Sequence, residues 1–415
     1  MASDTLFVHT GNTAPIKRRI LVFCETNTSY GRGIIEGLSQ YAREKNWILS
    51  FEQVGRDARQ FERYKPWRAD GVVIRSYYRS TYAKIQQSGI PFVELLGYAE
   101  TNTPPDVTMD ERRVAELVVD HFVARGLRTF AYYCMEDSPI FYGRRHFFLE
   151  RLLTLGYPCD VYPVRWRERD YTFPRWSEKY RAKLAKWLKG LPKPIALFAS
   201  LDQCGQVVLE LCQELGIRAP QEISVVAVGN DDWICNLLRP TLSSVDGNSF
   251  AVGWRAANIL ERKMNGESVE KKTIFVPAGF LATRQSSDFY AVGDPDVETA
   301  LTFIRENACQ RITVQDILDE INVSQRTLYR LFAKYLGRTP QDEIMNVQIE
   351  RAKTLLRETN DSVAAVAFQC GFASSVYFIR AFRREVGTTP NMFRLQYRFD
   401  SDSYKKSFLK TDSKK

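Results

Sequence analysis

Apolar positions recur along this chain in two rhythms, and the change between them falls near residue 295. From Lys17 to about Ser287, short apolar runs alternate with amphipathic stretches. Ile20–Cys24, Trp47–Phe51, Gly71–Ile74, Phe92–Leu96, Thr129–Cys134, Ile195–Ala199 and Ile223–Val228 have the length and composition of buried strands. Gly31–Glu44, Arg112–Ala124, Asp202–Leu215 and Ser249–Met264 carry their apolar residues on one helical face. Strands apolar on both sides, separated by helices, argue parallel sheets covered on both faces. A span of roughly 270 residues exceeds what one such sheet usually organises, so two are expected. Gly and Pro gather between Val276 and Pro295, ending in Gly293-Asp294-Pro295, and mark a hinge.

Beyond the hinge only the helical rhythm remains, and the chain repeats itself at an offset of fifty residues. Ser324, Arg330, Phe332, Gly337, Thr339 and Pro340 return as Ser374, Arg380, Phe382, Gly387, Thr389 and Pro390. Leu328 and Lys334 return conservatively as Phe378 and Arg384. Each copy reads as a short helix, a tight turn and a second helix opened by a serine N-cap, whose hydroxyl accepts a free first-turn N–H. Leu328, Leu331, Phe332 and Tyr335 form a buried stripe, leaving Ser324, Gln325, Arg326, Thr327, Tyr329 and Arg330 for the other face. The second copy presents Ser374, Ser375, Val376, Ile379, Arg380 and Arg383 in the same way. Between the copies, Gln341–Glu358 has no Gly or Pro and is expected as one helix of about 27 Å. Successive major-groove faces lie about 34 Å apart, so such a rod suits two heads entering double-stranded DNA twice. The rival reading is a pair of helical hairpins for protein contact.

Composition adds less. The 415 residues carry a net charge of +9, but it is spread: Val297 onward holds 19 Lys+Arg against 14 Asp+Glu. The repeat, not the charge total, carries the DNA expectation, because phosphate contacts come from particular side chains. Eight cysteines show no C-x-x-C pair, no apolar leader opens the chain and no long uncharged run spans a membrane. A reduced, soluble, cytoplasmic protein is expected. The lysine-rich end after Tyr404 reads as a solvated tail or as a DNA-binding arm.

The helical repeat resembles the AraC-type DNA-binding domain. The resemblance covers about Glu298–Arg398 and rests on Arg351, Ala352, Leu355, Leu356, Ser362, Val366, Ala367, Gly371, Phe372, Tyr377, Phe378, Arg380, Phe382, Gly387, Pro390 and Arg394. Ile379 departs from it, since a small or polar residue is commoner there. With Val376 beside it, thymine methyl groups are the expected target of the second face. The strand-helix region resembles the bilobed sugar-binding domain of LacI/GalR repressors and periplasmic binding proteins. Leu197–Asp202, Leu215-Gly216-Ile217, Pro220–Val228, Pro240–Val245, Asp110 and Arg144-Arg145 carry that likeness in the right order. Together they imply an α/β bilobed periplasmic-binding-protein-like domain with two parallel doubly wound sheets, followed by an all-α domain with two helix-turn-helix motifs. The expected boundaries are an N-terminal arm 1–16, an effector-binding and dimerisation domain 17–287, a linker 288–296, a DNA-binding domain 297–400 and a basic tail 401–415. The pairing resembles regulators of xylose operons. It implies a sugar-responsive activator, a monosaccharide effector such as D-xylose, a homodimer, RNA polymerase as partner and no cofactor; a ligand-released repressor would share every residue.

Polyol recognition asks for carboxylates, amides and arginine forks at strand ends. The candidates are Tyr30, Arg32, Arg75, Asp110, Arg145, Asp202, Asn230 and Asp231. At Gly229 the chain lacks the sugar-contacting aspartate of the LacI pattern, and Asn230 or Asp231 is its substitute. Asp202 reads equally as a helix N-cap. Arg32 and Tyr30 have bland readings as a solvated first-turn residue and a loop closure. Trp166, Trp176 and Trp187 line a cleft or pack between lobes. Catalysis is not expected. Gly31-x-Gly33 lacks the third glycine of a dinucleotide fingerprint, no P-loop or G-x-S-x-G elbow occurs, and the three histidines have no metal spacing.

Overall fold

The computed structural model describes residues 17–53, 69–75, 79–96, 106–134, 142–162, 178–270, 272–291 and 293–397. The expected arm 1–16, the tail 401–415, Trp166 and Trp176 lie outside them. The chain divides into two compact units, residues 1–109 with 248–276, and residues 110–247 with 277–415. It passes between them after Met109, Gly247 and Val276.

The first unit holds β1 (Arg19–Cys24), α1 (Ser29–Lys45), β2 (Ile48–Gln53), β3 (Gly71–Ile74), α2 (Arg79–Gln87), β4 (Phe92–Glu94) and β5 (Val107–Met109). A four-stranded parallel sheet runs in the order β2-β1-β3-β4. The chain then returns as α8 (Ser249–Met264) and β11 (Ile274–Val276), which pairs in parallel with β5. Helices α1 and α8 touch backbone to backbone. A Cβ on Gly33 would strike the Ser249 hydroxyl, and one on Gly37 would strike the Phe250 carbonyl. Gly33 and Gly37 are thus the close-packing positions, while Gly31 lies against the Glu25 carbonyl in the loop before α1.

The second unit opens with α3 (Glu111–Ala124), β6 (Phe130–Tyr133), α4 (Tyr142–Thr154), β7 (Cys159–Val161), α5 (Glu178–Gly190) and β8 (Ile195–Ala199). It continues with α6 (Asp202–Leu215), β9 (Ile223–Val228), α7 (Asp232–Leu237), β10 (Ser243–Val245) and β12 (Leu281–Ala282). Six strands form one sheet in the order β12-β10-β9-β8-β6-β7. Strands β6, β8 and β9 are buried throughout, as a sheet covered on both faces requires. Trp187 packs against this core and donates from its ring nitrogen to Asp160 at 2.8 Å.

Two expectations need correction here. The sheet is not wholly parallel: β12 runs antiparallel to β10, because the returning chain reaches that edge without a crossover helix. Part of the expected hinge is also core. Leu281–Ala282 is a strand, and Ser286 and Ser287 are fully buried.

From Pro295 the unit is helical: α9 (Pro295–Asn307), a 3-10 turn (Ala308–Gln310), α10 (Val314–Glu320), α11 (Gln325–Leu336), α12 (Pro340–Glu358), α13 (Val363–Gln369), α14 (Ser375–Val386) and α15 (Pro390–Tyr397). Two apolar cores form. The first gathers Val297, Leu301, Ile304, Ile317, Leu328 and Phe332, and the second Leu356, Val366, Phe372, Phe378, Phe382 and Phe393. Helix α12 belongs to both, through Ile344 in the first and Ile349, Ala352 and Leu355 in the second. At 19 residues it is about 28 Å long. All eight cysteines are free thiols. Among the described residues no helix is long and apolar enough to cross a membrane.

Candidate nucleic-acid interface and effector residues

Each helical half ends in a tight turn and a helix with a polar outer face. Ser324 caps α11 by accepting from Thr327 N, and Ser374 caps α14 by accepting from Tyr377 N. Both helices stop at a glycine in the left-handed region, Gly337 at φ 68° and Gly387 at φ 79°, where a side chain would be strained. Leu328, Leu331 and Phe332 face inward on α11, and Phe378, Ala381 and Phe382 on α14. That register turns Gln325, Arg326 and Arg330 outward on one helix, and Val376, Ile379, Arg380 and Arg383 on the other. Ser324 and Ser374 are exposed, while Thr327 and Ser375 are half-buried. Tyr329 is half-buried too, and its hydroxyl donates to Gln341 at 2.5 Å, tying α11 to the start of α12. Val376 is 58% exposed and Ile379 37%, so two apolar side chains are left in water beside Arg380 and Arg383.

In the second unit the effector candidates sort by what they touch. Asp202 is buried and is the first residue of α6, not its N-cap. Leu201 holds the cap position and makes no side-chain bond there. The Asp202 carboxylate instead accepts from Ser244 Oγ at 2.5 Å and from the Asp231 backbone N–H at 2.7 Å. Burial pushes its pKa up to about 6, against the lowering effect of those two bonds. Gly229, at φ 134°, sits against it: a Cβ there would lie 2.6 Å from Asp202 Oδ2. A side chain at Gly229 would therefore meet both a strained backbone and the Asp202 carboxylate. Asn230 takes a left-handed φ of 50°, and its side-chain oxygen accepts from Arg284 at 2.9 Å. Asp231 is buried and caps α7 by accepting from Trp233 N at 3.3 Å. Asp110 caps α3, accepting from Arg112 N and Arg113 N at 3.1 Å each. The arginine pair divides. Arg144 is buried, grips Glu111 with two bonds of 2.7 and 2.8 Å and donates to the Ser200 carbonyl. Arg145 stays half-exposed, its guanidinium 5.3 Å from the Tyr142 ring.

In the first unit Arg75 is buried at the end of β3 and paired with Glu25. Its guanidinium stands 5.1 Å above the Tyr30 ring, so these two candidates are brought together. Arg32 donates to the Thr26 carbonyl at 3.0 Å in the loop that opens α1.

Comparison with known proteins fixes what these parts are. A family of periplasmic-binding-protein-like domains matches residues 119–287, and a helix-turn-helix domain family matches residues 317–396. The xylose operon regulatory protein of Haemophilus influenzae is 28% identical over 385 residues, 91% of this chain and 98% of its own. That of Escherichia coli strain K12 is 27% identical over 390 residues, covering 91% and 97%. A solved structure described as the xylose-binding transcription activator xylR superposes with a TM-score of 0.58 at 26% identity, over 91% of this chain and 98% of that one. The chain joins a periplasmic-binding-protein-like sensor to an AraC-type reader. It is a DNA-binding transcription regulator.

In this regulator the sequence reading missed two residues of the sensor. Arg284 bridges Asn230 and Asp232, at 2.9 and 3.2 Å, and also donates to the Leu242 carbonyl. Its only signal was an arginine following the apolar pair Leu281–Ala282. Glu25 was legible as an acid directly after an apolar strand, where a buried partner such as Arg75 was to be sought.

Proposed function

We propose that this regulator is a D-xylose-responsive activator of pentose catabolism genes, in which each chain reads two successive major grooves. The carrying observation is the matched pair of exposed arginines, Arg330 and Arg380, on two serine-capped helices joined by one spacer helix. Arginine at a recognition helix suits the bidentate acceptor edge of guanine. The sugar is supported by the likeness to xylose operon regulatory proteins across 91% of the chain.

The proposed DNA contacts are Ser324, Gln325, Arg326, Thr327, Tyr329 and Arg330, with Ser374, Ser375, Val376, Ile379, Arg380 and Arg383. The proposed effector contacts are Tyr30, Arg32 and Arg75 in the first unit, and Asp110, Arg145 and Asn230 in the second. Asp202 and Asp231 act behind them, by holding the loop that carries Asn230. The domain boundaries follow as 17–287 for effector binding and dimerisation, 288–296 for the linker and 297–400 for DNA. In this reading the protein works as a cytoplasmic homodimer that contacts RNA polymerase and performs no catalysis. Activation requires the sugar to bind the DNA-competent state more tightly; equal affinity for both states would shift nothing.

A gel-shift titration with a duplex selected by this chain from a random library tests the reading, with and without D-xylose, beside a reporter assay. Tighter binding and raised transcription with sugar are expected; transcription that falls when the sugar is withheld and rises on deleting the gene's operator-binding half would mark a repressor instead. A thermal-shift panel of pentoses, hexoses and nucleosides assigns the ligand. Calorimetry on Arg145→Ala is expected to lose sugar binding at near-normal melting temperature, and retained binding removes Arg145 from the set.

A further inference from the structure

Tyr290 lies between the two family matches, in the segment assigned as a linker, yet it is only 6% exposed. A passive tether would have few fixed partners. This segment is pinned on both sides instead. Toward the sensor, Ala291 N donates to the Arg125 carbonyl at 2.8 Å, and His121 Nε2 meets Ser287 Oγ at 2.8 Å. Both partners belong to the last turn and cap of α3. The Arg125 guanidinium stands 5.5 Å from the Tyr290 ring. Toward the reader, the Tyr290 ring is part of the first helical core, and its hydroxyl donates to Glu343 Oε1 at 2.7 Å.

Glu343 is 1% exposed and lies in the first turn of α12, the spacer between the two reading helices. Its other oxygen meets Arg338 at 2.5 Å, in the loop leaving α11. One hydroxyl therefore touches the exit of the first reading helix and the root of the spacer. At its far end α3 begins beside Asp110, the first residue after the chain's first passage between units. A helix of 14 residues is a stiff link of about 21 Å between that passage and Tyr290.

We propose that Tyr290 is a positioning residue: its bond to Glu343 sets the DNA reader on the sensor, and the coupling of sugar to operator runs through it. The proposal rests on the sugar-responsive reading above. Tyr290→Phe keeps the ring in the core and deletes only the hydroxyl, with its bond to Glu343 and the longer one it accepts from Arg338 at 3.4 Å, so it separates the hydroxyl's bonds from the packing.

The test uses the full chain, D-xylose and the selected duplex. The quantity read is the ratio of operator affinities with and without saturating sugar, alongside the sugar affinity by calorimetry. Couplings of this kind are typically 5–150-fold. In Tyr290→Phe the ratio is expected to fall about fivefold or more toward unity while the sugar affinity stays within about twofold of wild type. Loss of packing alone would not move the ratio while leaving both melting temperature and sugar affinity in place. A wild-type ratio of one sinks the sugar-responsive reading itself. A normal wild-type ratio kept in full by a folded Tyr290→Phe overturns Tyr290 alone. Should that variant not fold, Arg125→Gln carries the test from the sensor side, where a reduced ratio supports the coupling and an unchanged one overturns it.

Discussion

Replacing Gly229 by alanine probes the Asp202 cluster more sharply than removing any charged residue in it. The added Cβ would stand 2.6 Å from Asp202 Oδ2, the same oxygen that accepts the Asp231 N–H. That oxygen cannot simply turn aside, because Oδ1 is held by the Ser244 hydroxyl at 2.5 Å and the residue is 2% exposed. Two costs follow. Backbone strain at φ 134° is on the order of 1–3 kcal/mol for a side chain in a glycine region. Losing one hydrogen bond to a charged group adds about 1.5–3 kcal/mol. Gly229→Ala is therefore expected to cost about 2.5–6 kcal/mol in chemical denaturation, read on the transition that Asp202→Ala itself moves. In an Asp202→Ala background the obstructed oxygen is gone and only the strain remains. The coupling between the two substitutions should then be about 1.5–3 kcal/mol. Equal penalties in both backgrounds, within about 0.5 kcal/mol, would refute the claim that the carboxylate opposes a side chain at Gly229.

Four further outcomes are expected. Asp202 has a folded pKa of about 6 against an ordinary 3.8, so between those values the folded chain keeps a proton that the unfolded chain has lost. Its contribution to stability falls as pH rises through that window, by about 3 kcal/mol in all. Urea melts at pH 4 and pH 7 should move the Asp202→Asn difference in the variant's favour by most of that amount, and a pH-independent difference would contradict it. Arg330→Ala and Arg380→Ala should each weaken operator binding by about 1–3 kcal/mol in gel shifts, if each arginine grips one guanine; unchanged affinity for both removes the assignment. Replacing thymine by uracil under the second helix deletes only the methyl groups. It should weaken wild-type binding and weaken that of Ile379→Ser, which keeps Val376, by less, whereas equal sensitivity in both rules out apolar readout by Ile379. Arg75→Met, which leaves buried Glu25 without its cation, should destabilise the first unit by about 3–5 kcal/mol in the same melts.

What could be read in the sequence was whatever depends on neighbours along the chain. The serine caps and the spacer were legible because capping and periodicity act over one or two turns. Helix α8 was legible from end to end for the same reason. The Asp202 cluster was not, since its meaning lies in Ser244 and Asp231, distant along the chain and adjacent only in the folded sheet. Arg144 and Arg145 look alike in sequence, and only the position of Glu111 on α3 decides which turns inward. Strand β12 escaped notice because two residues carry no period, and its antiparallel partner is supplied by topology. Helix α5 was passed over because charged side chains interrupt its apolar face, while α4 was marked only by the arginine pair at its entry. Tyr290 looked like linker because its partners lie on both sides of the domain boundary.

The two reading helices are mechanically one object. If each rested on a separate core joined by a loop, a change at one would reach the other only through DNA. Here α12 places Ile344 in the first core and Ile349, Ala352, Leu355 and Leu356 in the second, without a break in its hydrogen-bond ladder. Close-packed cores do not slide by fractions of a turn, so a tilt of the helix at its first turn is inherited by both. Glu343 sits in that first turn, capped by Thr339 and Asp342. A sensor that needs to alter the fit to two grooves at once has no better point of purchase, since a displacement applied farther along would lever one core against the other.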